Sequence, residues 1–158
     1  MQPIPFPTRI ISGGQTGVDQ AALSVAISLG IAHGGWCPSD RRCEGGEIPL
    51  HFSLTPMPTP SYAARTRQNI IDSDATLILH RGPLTGGTLL THNIVRKLSR
   101  PLLEVELDDH RVVEKVRRWL QENAISTLNV AGPRESNSPG IYEGARCVLS
   151  AILDRANA

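Results

Sequence analysis

Three short stretches carry the residue types that hold an oxyanion. Gly13-Gly14-Gln15-Thr16-Gly17, Arg81-Gly82-Pro83-Leu84-Thr85-Gly86-Gly87-Thr88 and Gly132-Pro133-Arg134-Glu135-Ser136 each follow a run of mostly apolar residues. Bare glycine backbone lets an anion approach closely, and the unpaired N–H groups at a helix start face it along the positive end of the helix dipole. Thr16, Thr85, Thr88 and Ser136 add hydroxyl donors, while Arg81 and Arg134 add charge. This chemistry binds; it does not break bonds. There is no Lys where a Walker loop needs one, and Gly13-Gly14-x-x-Gly17 does not match the dinucleotide spacing. G-x-S-x-G, H-E-x-x-H and a recognisable pair of carboxylates are missing too. His33, Cys37 and Cys43 match no common metal-site spacing, so no metal ligand and no catalytic residue is assigned.

The elements that position these turns follow from periodicity. Arg9-Ile10-Ile11 reads as a strand, and Val18, Ala21, Ala22, Val25, Ala26 and Leu29 mark the face of the helix after it. Thr16 and Asp19 have the spacing of a capping box. Residues 31–36 form a short second strand. Residues 37–60 lack either period and read as a long loop walling the first turn, with Arg41 in its charged cluster. A helix capped by Ser61 runs to Asp72, with Tyr62, Thr66 and Ile70 on one face. Ala75-Thr76-Leu77-Ile78-Leu79 is nearly continuous apolar sequence, as in a strand buried on both faces. The helix after it turns Leu90, Ile94 and Leu98 inward. A strand at 101–107, a helix at 108–123 capped by Asp108 or Asp109, and a strand at 126–131 follow. The last helix starts at Ser138-Pro139. Alternation of this kind predicts an α/β fold: an open, mostly parallel sheet with helices on both faces. Right-handed crossovers bring the three turns to one sheet edge, where such folds bind ligands. Trp36, and also Tyr142, are aromatics near turns that suit stacking on a flat heterocycle.

Composition bounds the rest. The length of 158 residues with 40% hydrophobic content suits a single domain over 9–158 behind a proline-rich tail, 1–8. With 16 basic against 15 acidic residues, nothing draws the whole chain to nucleic acid or to an anionic membrane. The 3 cysteines are odd in number and unpaired in pattern, which points to a reducing cytoplasm. No apolar run approaches a membrane span.

Several blocks together resemble a family. Gly13-Gly14-Gln15-Thr16-Gly17-Val18-Asp19, Gly34-Gly35-Trp36-Cys37-Pro38, Arg41-Arg42, residues 72–79, Gly82 to Thr88, and Asn129 to Ser136 look like the bacterial molybdenum carrier family, the molybdenum cofactor carrier proteins. The resemblance covers about residues 9 to 153. It implies a Rossmann-like fold related to lysine-decarboxylase-like (LOG-type) proteins, and a homo-oligomer, a tetramer. It also implies that the chain binds, protects and passes on the molybdenum cofactor, Mo-molybdopterin, with molybdate or phosphate as simpler occupants. Protein partners would be molybdenum insertion proteins or molybdoenzymes. On this reading Gly13, Gly14, Gln15, Thr16, Gly17, Trp36, Arg41, Arg81, Gly82, Thr85, Gly86, Gly87, Thr88, Gly132, Arg134 and Ser136 form the site. The competing reading is enzymatic. LOG-type relatives cleave nucleoside 5′-monophosphates with a P-G-G-x-G-T-x-x-E turn, and Leu84-Thr85-Gly86-Gly87-Thr88-Leu89-Leu90-Thr91 has its glycines and Thr but not its Glu. Asp19 or Glu135 is the candidate substitute, and Arg65 or Arg67 the helix Arg. A nucleotide-binding regulatory module is the third reading.

Overall fold

The structure, a computed structural model, describes residues 6 to 157. β1 (Arg9–Ile11) leads through the first glycine turn to α1 (Val18–Ser28) and β2 (Ala32–Gly34). Next come β3 (Trp36–Cys37), β4 (Arg42–Cys43), β5 (Gly46–Glu47) and β6 (Thr55–Pro56), then α2 (Tyr62–Ile71) and β7 (Ala75–His80). α3 (Gly86–Lys97), β8 (Leu102–Glu106), α4 (Val112–Glu122), β9 (Thr127–Ala131) and α5 (Ile141–Leu153) complete the chain. The main sheet has five strands in the order β2-β1-β9-β7-β8, all parallel. Counted from β9, that order is 3-2-1-4-5, the order of a doubly wound Rossmann half. The fold is therefore the expected Rossmann-like α/β sheet, with its chain opened at a different place.

The two sheet faces differ in chemistry. Ile10, Leu77, Leu79, Leu128 and Val130 point to one side, where Ala22, Val25, Val116, Ala145 and Leu149 of α1, α4 and α5 close an apolar core. Because strand side chains alternate, the intervening residues face the other side. There Thr76 and Asn129 are buried, and Asn129 donates to Thr76 Oγ1 at 3.2 Å. α2 and α3 cover this polar face with buried Arg65, Asn69, Thr88 and Thr91.

Local details depart from expectation. The α1 N-cap is Gly17 at φ 81°, without a side-chain cap, because Thr16 and Asp19 are drawn to other partners. α4 starts at Val112 rather than behind an aspartate cap; Asp109 instead takes the Arg111 N–H and the Lys115 ammonium. α5 is capped by Gly140 in the left-handed region, not by Ser138, since the Glu135 carboxylate takes the Gly140 and Tyr142 N–H groups. α3 buries Thr88, Thr91 and Val95, leaving Leu90, Ile94 and Leu98 partly exposed. Its inward face follows the polar side of the sheet.

The long loop is structured. β3 pairs with β6, and β4 with β5 as a hairpin whose tip is Glu44-Gly45. Cys37, Cys43, Ile48, Phe52 and Leu54 build a second small core on Leu23 of α1. At the amino end, residues 1–5 of the expected tail lie outside the described residues. Phe6 packs on the main core and Thr8 N–H donates to Ser126 C=O at 2.9 Å.

Candidate functional site

In a 3-2-1-4-5 sheet the strand order reverses beside the first strand, here between β9 and β7. A cavity of about 200 Å³ opens there, at the carboxyl ends of the strands. All three turns contribute to its wall: Gly13 and Gln15 from the first, Gly87 and Thr88 from the second, Gly132 and Arg134 from the third. α2 adds Tyr62, Arg65 and Asn69.

Arg65 is the centre of the site. Only 9% of it is exposed, and it lies across Gly13 so closely that a Cβ there would fall 1.3 Å from Nη1. That guanidinium explains why residue 13 is glycine. Nη1 donates to Asp19 Oδ2 at 3.2 Å, whereas Nε is buried with no hydrogen-bond partner among the described residues. Asp19 also accepts the Gln15 N–H at 3.2 Å. Burial pushes the Asp19 carboxyl above the ordinary carboxylate range, opposed chiefly by the Arg65 charge. The protein's own carboxylate thus takes the first-turn N–H that an incoming anion would use.

The second turn is different. Thr85 makes no side-chain cap on α3, and neither Gly86 nor Gly87 has a neighbour within 4 Å of where a Cβ would stand. Thr88 N–H is given to Thr85 C=O at 3.1 Å, so the bare backbone that faces the cavity here is that of Gly87, in the same wall as Arg65 and Arg134.

Other expected site residues are committed elsewhere. Gly14, at φ 82°, faces Ile48 and Leu54 of the loop core and is not part of the cavity lining. Gly17 and Gly132 serve close packing: a Cβ on either would stand 2.3 Å from a carbonyl oxygen, of Pro133 and Leu79 respectively. Gly132 still lines the cavity through its backbone. Trp36 donates Nε1–H to Asp72 Oδ2 at 2.7 Å and sits on a separate hollow. Arg41 clamps the carbonyls of Ile48, Pro49, Phe52 and Leu54. Arg81 pairs with Asp108 at 3.0 Å, and Gly82, Thr85 and Gly86 are exposed outside the lining. Tyr142 donates to Ser24 Oγ at 3.1 Å. Tyr62 is instead the cavity's aromatic, its ring 5.4 and 5.5 Å from the Arg42 and Arg65 guanidiniums.

Thr16 and Ser136 are outside the lining and are joined by Glu44 from the hairpin tip, next to Arg134 of the cavity wall. Glu44 Oε1 accepts from Thr16 Oγ1 and from Ser136 N–H at 3.1 Å. Oε2 accepts from Ser136 Oγ at 2.5 Å and lies 3.8 Å from Arg134 Nη1. Gln15 Oε1 fixes the tip by accepting the Glu44 N–H at 2.8 Å. Desolvation works to raise the Glu44 carboxyl, but the Ser136 and Thr16 hydrogen bonds outweigh it and hold it below the ordinary range.

The α2 residues that the carrier reading left out, of which Arg65 was named only for the enzymatic reading, share one signal. Tyr62, Arg65, Thr66 and Asn69 are spaced by three and four along α2, so a polar stripe, not an apolar one, covers the sheet. A helix buried by such a stripe marks a cavity that something polar must fill.

Comparisons with known proteins agree with the fold. The model of the circularly permutated YpsA SLOG family matches residues 10–153. A solved structure described as "Putative molybdenum carrier protein" from Syntrophus aciditrophicus SB is 41% identical. The match covers 94% of this chain and 96% of that one, with a TM-score of 0.90. A search of curated proteins finds no match.

Proposed function

Because this chain belongs to the circularly permutated YpsA SLOG family, we propose that its cavity binds the molybdenum cofactor as cargo and hands it on unchanged. The observation that carries this reading is Arg65. A buried guanidinium with one unpartnered nitrogen, beside an uncapped helix start, is a site waiting for an anion. An anionic end of the ligand would accept from the Gly87 N–H, the Thr88 hydroxyl, Arg65 Nε and Arg134. Tyr62 offers its ring to the pterin plane, and Asn129 offers an amide to the ring's polar edge. About 200 Å³ is below the roughly 300–1,000 Å³ of pockets that enclose a drug-sized ligand. One end of the cofactor therefore enters, and the remainder lies across the mouth. The relative described as a molybdenum carrier supports the same ligand class.

Asp19 favours a second reading, nucleoside 5′-monophosphate hydrolysis, because it puts a carboxylate in the same cavity. That carboxylate is held by Arg65 and the Gln15 N–H, and Thr91, three residues after Thr88, gives its hydroxyl to Gly87 C=O at 2.9 Å. One experiment separates the readings. Purified protein is mixed anaerobically with the cofactor, desalted, and the retained pterin is oxidised and measured by fluorescence, with adenosine monophosphate in a parallel tube. Saturable pterin retention without adenine release is the expected result; adenine release without retention would replace the carrier by a hydrolase.

A further inference from the structure

We propose that Glu44 is a built-in plug in a second oxyanion site, made by Thr16, Ser136 and Arg134, the last of which also lines the cavity. Four donors converge on one side-chain carboxylate: the Thr16 hydroxyl, the Ser136 N–H and hydroxyl, and the Arg134 guanidinium. They come from the first and third turns, whereas the carboxylate comes from neither. It is delivered by a hairpin tip, Glu44-Gly45, followed by Gly46 at φ 110°. Two hydroxyls, one N–H and a guanidinium make a nest of donors that suits a tetrahedral oxyanion as well as a carboxylate, and a negatively charged side chain fills it.

A structural staple of Glu44 alone would not need this arrangement, because the hairpin has its own anchorage. Cys43, Ile48 and Leu54 seat it in the small apolar core, and Arg41 and the Gln15 amide tie its backbone. The Glu44 side chain, with 19% of its surface exposed, can leave without unfolding that core. A tetrahedral oxyanion arriving at the nest meets the same four donors and adds a second charge to share Arg134. With Glu44 in place, the like charge repels it. Release of Glu44 therefore opens the nest and frees Arg134 for the cavity in one event, so a ligand with two anionic ends engages both sites only after displacing the plug. The identity of that natural ligand rests on the carrier reading; the oxyanion site does not.

The test is calorimetric titration of wild type, Glu44→Ala and Glu44→Gln with sodium molybdate, inorganic phosphate and glycerol phosphate at fixed ionic strength. Glu44→Ala should bind at least one of these about tenfold or more tightly than wild type, and adding Ser136→Ala to it should abolish the gain. Preference for the monoester identifies a ligand's phosphate end, and preference for molybdate identifies the free oxyanion; either supports the plug. Affinities within about twofold of wild type in both folded single variants overturn it, as does failure of both to fold, which would make the carboxylate a staple. Wild-type pterin retention is read separately: if it fails while Glu44→Ala gains oxyanion affinity, the plug stands and the carrier reading falls.

Discussion

Arg65 decides more about this site than any glycine does. Its pair with Asp19 is buried, so Arg65→Met leaves a carboxylate without its counter-ion and should cost about 3–5 kcal/mol. The sign with pH follows from burial, which already raises the Asp19 carboxyl. Without Arg65 it rises further, so the folded state of the variant holds its proton more tightly than the unfolded chain does. The deficit in thermal denaturation should be small in acid and grow as pH rises through the folded value. A pH-independent deficit would mean that Asp19 is not the group left exposed to burial. Gly13→Ala should displace the same guanidinium, because its Cβ would fall 1.3 Å from Arg65 Nη1. Ligand retention should be lost in Gly13→Ala as in Arg65→Met, and full retention would place Arg65 outside the binding set. Sequence could suggest that Gly13 was obligatory, but not why. The reason lies 52 residues away along the chain, in a side chain that crosses a glycine.

Among the elements, the strands of the main sheet were legible, and the clearest was Ala75 to Leu79, because a parallel strand buried on both faces reads as an apolar run. Helix starts were less legible. Thr16, Asp109 and Ser138 are plausible caps by type, yet Glu44, Lys115 and Glu135 compete for the same groups or donors, and such tertiary partners are invisible in a local window. The long loop was read by its glycines and prolines and not by its apolar residues, Cys37, Cys43, Ile48, Phe52 and Leu54, which make its core. Arg41 belongs to that element. It holds a positive φ of 52° and caps four carbonyls, so Arg41→Ala leaves acceptors unpaired at about 1–3 kcal/mol. Hydrogen exchange should quicken across residues 42–56 while the main sheet stays protected. Uniform quickening through β7 and β9 would show that the loop and the sheet unfold as one unit.

At the scale of the molecule, the strand order puts the cavity where physics expects a ligand, although the chain begins at the second strand of the Rossmann half. Alternation of strands and helices predicted the edge at which three turns meet. It could not predict which turn stays open, because that depends on Asp19 occupying the first and on no side chain capping the second. Among the described residues no helix is long and apolar enough to cross a membrane, and no cluster of metal-ligating side chains is present.

Retention of the molybdenum cofactor by three proteins, wild type, Arg134→Gln and Arg81→Ala, tests this most directly, read as oxidised-pterin fluorescence after anaerobic desalting. Arg134 lines the cavity and Arg81 is paired with Asp108 outside it. Wild type and Arg81→Ala should retain equal pterin while Arg134→Gln loses most of it. Equal retention by all three, or loss in Arg81→Ala alone, would put the ligand somewhere other than the cavity between β9 and β7.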